Sequence, residues 1–283
     1  MDYTTSEAKE SFCDVYDGAS VVNFVFSLLI TGGIFVSYLP QYYRIYKKQT
    51  SEGLSVSFLL LGSCLSIFTF TNIIMISSRA RYCCRIGALT LFNCLNSQLN
   101  LIQIGLQCTC AIMILVLVIV FTRGSLKQDR EEFKRIIHVG RLVLLHGIAL
   151  VVQIIVAFTT NRSILLYLAQ LNGLMSTLLT VIKYVPQIVT TYNLKHPGTL
   201  SIGMMCIQTP GGFVFTATLF FTKGSHWSSW VSYLVAALLQ GTLLLLCIYY
   251  EYIDKSSSEE EQRAVERIIE ENREQPEETT PLV

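Results

Sequence analysis

The stretch "VSYLPQYYRIY", residues 36–46, ends a long apolar run, and "IKYVPQIVTTY", residues 182–192, ends another. Each places a proline and a glutamine in sequence that otherwise suits a membrane helix. Proline has no backbone N–H and clashes with the carbonyl four residues earlier, so each predicted helix should bend there. A carbonyl freed in lipid needs a partner, and a glutamine offers donors and an acceptor. The two stretches therefore predict equivalent bends at Pro40 and Pro186, beside glutamines that either satisfy the backbone or line a cavity.

The composition predicts an all-α, polytopic membrane protein. The 283 residues are 52% hydrophobic and only 14% charged, whereas a soluble domain carries about 25% charged residues. Apolar stretches recur at roughly the 20 residues that a helix needs to cross a bilayer. The net charge of +1 and the lack of a basic aromatic surface give no indication of a nucleic-acid partner. Seven windows are predicted to span the membrane, namely 20–46, 55–77, 99–121, 140–159, 164–192, 200–222 and 229–252.

An internal repeat relates the first three spans to the last three. The residues "YLPQ" at 38–41 match "YVPQ" at 184–187, and "LQCT" at 106–109 resembles "LQGT" at 239–242. Because one linker span separates the two sets of three, both copies have the same orientation and form parallel repeats. The predicted segments are a lumenal N-terminal segment 1–19, a first three-helix bundle 20–121, a cytosolic loop and linker helix 122–163, a second three-helix bundle 164–252, and a largely disordered acidic cytosolic tail 253–283.

The basic residues of the loops predict the orientation. More of them fall on the side that carries the C-terminus, which favours a lumenal N-terminus and a cytosolic C-terminus. Four cysteines then share the lumenal side and could form one disulfide, namely Cys13, Cys83, Cys84 and Cys94. In the acidic tail, the spacing of Val265, Ile268 and Ile269 indicates a short amphipathic helix, and this tail could hold sorting or trafficking partners.

The two proline stretches resemble the PQ-loop family, which includes cystinosin, the lysosomal cationic amino-acid exporters and, more distantly, the SWEET sugar facilitators. The resemblance rests on "YLPQYYRIYKKQTSEGLSVSFLLLG" and "KYVPQIVTTYNLKHPGTLSIGMMCIQTPGG". It implies two three-helix bundles that rock about Pro40 and Pro186. It also implies that Lys183 is functionally important and that Gly211 and Gly212 allow close helix approach. The implied substrate and hinge site comprises Tyr38, Pro40, Gln41, Lys183, Tyr184, Pro186 and Gln187.

Acidic residues are missing where proton-coupled relatives carry one. Those relatives have an aspartate shortly before the glycine pair, whereas this sequence has Gln208 nearby. Glu251, at the edge of the last window, is the one acidic residue in the seven windows, so carboxylate-driven proton symport is disfavoured. Other polar side chains in the spans are either cavity residues or interhelical hydrogen-bond partners. The cavity candidates are Asn72, Gln107, Gln170, Asn172, Gln208 and Gln240.

We therefore expect a small-solute transporter of an internal membrane, of the vacuole or lysosome, or alternatively of the Golgi or ER. Amino acids or related cationic solutes are the first expectation, moved by alternating access. One alternative is a protein that affects lipid distribution or trafficking, and another is a sorting receptor of the KDEL-receptor type. The sequence shows no nucleophile–base pair, phosphate loop or metal-ligand spacing, so neither enzyme activity nor a metal or cofactor is expected. It gives no expectation for the oligomeric state.

Overall fold

A computed structural model describes residues 12–18, 20–48, 56–123, 130–195, 202–222 and 224–253. Within these residues the chain forms seven long helices and one short one. They are α1 (Val21–Lys48), α2 (Val56–Ile76), α3 (Ser78–Arg85), α4 (Leu91–Thr122), α5 (Arg130–Thr159), α6 (Arg162–Leu194), α7 (Ile202–Phe221) and α8 (Trp227–Ile248). A 3-10 turn at Asp14–Tyr16 precedes α1, and a π-helical turn at Tyr249–Ile253 follows α8. The predicted acidic tail and its amphipathic helix lie outside the described residues.

The helices confirm the prediction of an all-α, polytopic membrane protein. Six of the long helices are long and apolar enough to cross a bilayer, and the apolar stretch of the seventh, α7, is Met205–Phe221. Helices suit this environment because every backbone group within the span is satisfied by the helix itself. Apolar side chains cover the outer faces, as at Leu144 and Leu145, which are 65% and 63% exposed.

Two helices begin well before the apolar windows predicted for them. α4 starts at Leu91, where the side chain of Thr90 accepts a hydrogen bond from the backbone N–H of Asn93. Such a cap satisfies one of the free N–H groups at a helix start. α5 starts at Arg130 and places Glu131 and Glu132 in its first turn, where the helix dipole favours negative charge. Hydropathy alone misses both starts because capping and charge, rather than apolar sequence, decide them.

Two disulfides mark one end of the helical bundle. They join Cys13 to Cys83 and Cys84 to Cys94, so the four cysteines do pair, in two disulfides where the sequence had suggested that one was possible. All four cysteines lie just before α1, in α3 or at the start of α4, which the chain brings to one end. We call this the disulfide end, and the end that holds the C-termini of α1 and α6 the opposite end.

The packing follows the repeat predicted from the sequence. α4 packs against both α1 and α2, and α8 packs against both α6 and α7, so the third helix is central in each bundle. The linker helix α5 packs mainly on α2. Between the bundles, α2 runs along α6 over a long stretch, whereas α1 meets α7 over a shorter one. The repeat relates these two contacts, so their unequal extent breaks the two-fold symmetry.

The bundles share a hydrophobic core near the disulfide end and have separate cores toward the opposite end. The shared core is formed by Ile73, Ile104, Phe215 and Leu219, from α2, α4 and α7. The first core, around Ile45, Leu59, Val118 and Ile136, draws only on α1, α2, α4 and α5. The second core, Met205, Leu243, Leu244 and Cys247, draws on α7 and α8, with α6 side chains packed against it. Toward the opposite end the hydrophobic cores are therefore built within each bundle, although α2 and α6 still approach each other at Gly62 and Lys183.

Candidate functional site

Two hydrogen-bonded groups of polar side chains lie where the shared core gives way to the separate ones. The hydroxyl of Tyr233 donates to Oε1 of Gln107 over 3.1 Å, which connects α8 of the second bundle to α4 of the first. The hydroxyl of Tyr184 donates to Oε1 of Gln240 over 3.3 Å, and Nε2 of Gln240 donates to Oε1 of Gln208 over 3.1 Å. We call these five residues the polar centre. Gln107, Gln208, Gln240 and Tyr184 were all named from the sequence. The fold joins the last three in one group and Gln107 to Tyr233 in the other.

Three tyrosines near the bundle interface each pack on a different one of these cores. Tyr233 packs on the shared core and makes an edge-to-face contact with Phe215, with ring centroids 4.7 Å apart. Tyr184 packs on the second core, and Tyr38, its counterpart in the repeat, packs on the first. Relative movement of the bundles would therefore change the surroundings of all three phenols.

Lys183 brings a basic group to the interface between the bundles. Its Nζ lies 3.7 Å from the position that a Cβ on Gly62 of α2 would take, and 5.2 Å from the ring centroid of Tyr184. It lies eleven residues before the end of α6 at Leu194, which places it roughly 16 Å along the helix from that end. A Cβ at position 62 would therefore be in ordinary van der Waals contact with the ammonium group.

The two prolines lie inside continuous helices. α1 continues as a helix through Pro40, and α6 continues as a helix through Pro186. Both prolines are exposed on the outer surface of their helices. Gln41 and Gln187 are half-buried. The role of this pair of motifs as hinges remains a prediction.

Asn72 forms a buried junction of three helices on the α2–α6 side. Its Nδ2 donates to the carbonyl of Ala169 over 2.7 Å and to Oγ of Ser228 over 3.1 Å, and its Oδ1 accepts from Ser229 over 3.2 Å. Asn72 is 1% exposed. Gly173 allows the approach, because a Cβ there would lie 2.5 Å from the carbonyl oxygen of Ser228.

The remaining candidates named from the sequence lie outside the polar centre. Asn172 donates to Oε1 of Gln153 over 3.0 Å, which joins α6 to the linker helix. Gln170 is half-buried on α6. A Cβ on Gly212 would lie 3.4 Å from Cβ of Ala237 on α8, whereas the same construction on Gly211 meets nothing within 4 Å. Of the two glycines, Gly212 has the close neighbour that a packing role requires.

Comparison with known proteins agrees with this architecture. The family model described as "PQ loop repeat" matches residues 22–79 and 168–228, which are the first two helices of each bundle. The chain belongs to the PQ-loop repeat family. An uncharacterized protein of Schizosaccharomyces pombe is 32% identical to it over 256 residues, covering 84% of this chain and 83% of the relative.

In this PQ-loop protein, the sequence interpretation missed Tyr233 and the serines of α8. Tyr233 lies seven residues before Gln240, which puts both on one helix face, so helical spacing gives a usable signal. Ser228 and Ser232 are four residues apart, a small-residue spacing typical of close packing between membrane helices. Ser232 shares hydrogen bonds of 2.6 Å and 2.9 Å with the hydroxyls of Ser176 and Thr177 on α6.

At the disulfide end, residues 12–18 form a strap across the two bundles. The strap is attached to α3 by the Cys13–Cys83 disulfide and to α4 by a 2.7 Å hydrogen bond from Nδ2 of Asn93 to Asp17. Tyr16 reaches the loop between α7 and α8, where a Cβ on Gly224 would lie 2.8 Å from its ring. Gly224 also has φ +75°. Glycine therefore suits this position both because a side chain would clash with Tyr16 and because the backbone conformation disfavours other residues.

Basic side chains hold the strap in place. Arg79 donates to the carbonyl of Phe12 over 2.5 Å, and the guanidinium groups of Arg79 and Arg162 lie 4.1 Å and 4.7 Å from the centroid of the Phe12 ring. Burial raises the pKa of the Tyr16 phenol, and the positive charges of Arg79 and Arg162 partly oppose this shift. These contacts give two of the arginines on the predicted lumenal side a structural role.

Proposed function

We propose that this PQ-loop protein transports a small polar solute across an internal membrane by alternating access. The observation that carries the proposal is the position of the polar centre at the junction between the shared core and the two separate cores. A site at such a junction can be reached from one side while the shared core closes the other. In this conformation the shared core lies toward the disulfide end, so access would come from the opposite end.

The chemistry of the site favours solutes that carry a carboxylate and hydrogen-bonding groups. Lys183 places an ammonium group beside Tyr184 and Gly62 at the bundle interface. Tyrosine hydroxyls and glutamine amides nearby can donate and accept hydrogen bonds. Amino acids combine these features and are the first class to test. Solutes with extra positive charge would meet like charge at Lys183.

The proposed mechanism is facilitated diffusion or exchange rather than carboxylate-driven proton symport. Among the described residues of the seven predicted windows, Glu251 is the single acidic one. It is exposed and lies in the turn after α8. A proton-coupled cycle needs a group that titrates within the membrane. A carboxylate at the polar centre would supply one, but Gln107, Gln208 and Gln240 are amides that do not titrate.

The proposed orientation places the disulfide end in the lumen and the opposite end in the cytosol. Disulfides form and persist in oxidising compartments such as the secretory lumen, and are rare in the cytosol. Both disulfides of this protein lie at the end that carries the predicted lumenal segment. The orientation therefore agrees with the bias of basic residues in the loops.

Uptake by reconstituted protein tests the transport proposal. Proteoliposomes are supplied with radiolabelled amino acids, with and without a pH gradient, and the wild type is compared with Lys183→Ala. The matched control is Lys195→Ala, an exposed lysine just after α6. We expect uptake of one amino-acid class, lost in Lys183→Ala, retained in the control and insensitive to the gradient. No uptake of any amino acid by correctly folded wild type would refute the proposed substrate class, and strong acceleration by the gradient would refute the proposed mechanism.

A role in handling lipids is the second candidate. It is favoured by a cavity at the disulfide end, between α1 and α7, whose rim carries exposed apolar side chains. Such an opening suits a molecule that approaches from the bilayer.

A further inference from the structure

The cavity at the disulfide end lies apart from the polar centre. Its volume is about 350 Å³, and it is a half-open cavity lined by the strap, the start of α1, the start of α4 and the end of α7. This volume falls in the range of small-molecule sites. Because α1 and α4 belong to the first bundle and α7 to the second, the cavity opens on the side where the bundles make their shorter contact.

The inner wall of the cavity is polar but uncharged. Side chains of Asn23, Asn96, Ser97 and Thr222 line it, together with Tyr16 of the strap, and none of its described lining residues carries a charge. Asn and Thr side chains both donate and accept hydrogen bonds. A ligand with a full net charge would enter without a counter-ion and would lose its hydration at a cost.

The rim of the cavity is apolar and faces outward from the helices. Val22 is 65% exposed, Phe26 is 52% exposed and Phe221 is 73% exposed. Val22 and Phe26 lie within the first turns of α1, and Phe221 is the last residue of α7. The rim therefore lies near the end of the spans, where the hydrocarbon of a bilayer meets its headgroups.

We propose that this cavity binds the headgroup of a membrane lipid without net charge, which enters sideways between α1 and α7. The uncharged polar wall receives the headgroup and backbone of the lipid, and the apolar rim contacts its acyl chains. A water-soluble polar solute would gain no favourable apolar contact from Phe26 and Phe221. An anionic lipid would lack a basic partner among the residues that line the cavity.

The strap completes the site. Tyr16 lines this cavity and also a smaller one of about 30 Å³ behind it, which is large enough for a water molecule. Since the Cys13–Cys83 disulfide fixes the strap to the first bundle and Tyr16 contacts Gly224 of the second, the depth of the cavity depends on how the bundles sit at this end.

Photo-crosslinking in vesicles tests the proposal. The full-length protein is reconstituted in vesicles of phosphatidylcholine and phosphatidylserine that contain a photoactivatable form of one or the other lipid, and the labelled peptides are mapped. We expect phosphatidylcholine to label the peptides that contain Phe26 and Phe221 in preference to phosphatidylserine. Ser97→Phe fills the cavity and should abolish this labelling.

A matched variant and a second cavity variant complete the design. Thr109→Phe adds the same ring at an exposed position of α4 outside the cavity and should leave labelling unchanged. If Ser97→Phe lowers thermal stability, Asn96→Leu removes polarity instead and should reduce the phosphatidylcholine preference. Labelling spread evenly along the outer faces of α1 and α7, equal labelling by both lipids, or labelling unaffected in a folded Ser97→Phe or Asn96→Leu protein would each overturn the proposal. The readout is binding, so it is independent of whether the polar centre transports a solute.

Discussion

The hydroxyl of Tyr233 donates a 3.1 Å hydrogen bond to Oε1 of Gln107, and this bond crosses from the second bundle to the first. It lies at the boundary between the core that the bundles share and the cores that they do not. A bond in this position depends on the relative arrangement of the bundles. The alternating-access proposal therefore predicts that its loss changes the balance between conformations.

Replacing this hydroxyl should shift the equilibrium between conformations. Tyr233→Phe keeps the ring against Phe215 but removes the bond to Gln107. An interhelical bond in a membrane contributes about 0.6 kcal/mol, so the population ratio should change roughly threefold toward the alternative state. Spin labels at Tyr43 and Tyr192, exposed near the opposite end, report the change as an altered distance distribution. Tyr167→Phe, at an exposed site on α6, is the control, and identical distributions for the two variants would contradict the prediction.

Gly173 should not tolerate a side chain. Gly173→Ala places a Cβ 2.5 Å from the carbonyl oxygen of Ser228, which forces α6 and α8 apart. Overpacking of this kind costs about 1–3 kcal/mol. Thermal unfolding in detergent should show the loss, whereas Gly211→Ala, where nothing lies within 4 Å of the new Cβ, should unfold like the wild type. Equal stability of the two variants would show that the helices separate freely at Gly173.

Loss of the Asn72 amide should weaken the contact between the bundles. Asn72→Leu keeps the number and branching of the side-chain heavy atoms but removes the bonds to Ala169, Ser228 and Ser229. With about 0.6 kcal/mol for each bond, the free energy of unfolding should fall by about 2 kcal/mol. Ser66→Ala on the same helix removes only a bond to the carbonyl of Gly62 in its own helix and serves as the comparison. An effect of Asn72→Leu no larger than that of Ser66→Ala would be the contrary result.

Opening the Cys13–Cys83 disulfide should release the strap. The bond joins residues 70 apart in sequence, and a crosslink over such a length contributes about 2–4 kcal/mol by restricting the unfolded chain. Cys13→Ser should lower the unfolding temperature and make the strap sensitive to protease added on the disulfide side. Cys206→Ser removes an exposed free thiol and should change neither property. A protease-resistant strap in Cys13→Ser would show that the contacts of Phe12 and Tyr16 suffice to hold it.

Tyr16 should make stability depend on alkaline pH. Burial raises the pKa of its phenol above the ordinary value of 10.0, so the folded state favours the protonated form. This stabilisation is fully present below pH 10 and is lost as the pH rises from 10 through the higher pKa of the folded state. The unfolding temperature of the wild type should therefore fall more steeply above pH 10 than that of Tyr16→Phe. Parallel curves for the two proteins would contradict the assignment of the shift to Tyr16.

Part of the site could be predicted from residue types and spacing. Tyr184, Gln208 and Gln240 were named because they are polar residues in apolar helices, or because the repeat relates them to Tyr38 and Gln107. Membrane helices expose apolar faces and keep polar side chains against neighbouring helices. We therefore expect such residues to contact one another or to line a cavity. The structure shows that Tyr184, Gln208 and Gln240 contact one another. Asn72 and Asn172 have the same signal, yet their hydrogen bonds fit the packing alternative, because spacing gives no information on which neighbour an amide will meet.

The sequence by itself determined the number of long helices, their grouping into two parallel bundles and a linker, and the family. The length of an apolar stretch indicates a membrane span, and two copies of a proline motif can be recognised by comparing the sequence with itself. Only the tertiary structure decided that the bundles share a core toward the disulfide end, that Tyr233 bonds to Gln107, and that two disulfides hold a strap over a polar cavity. These features depend on contacts between residues far apart in the chain, and they arise from how side chains fill the space between helices, which residue type and periodicity do not specify.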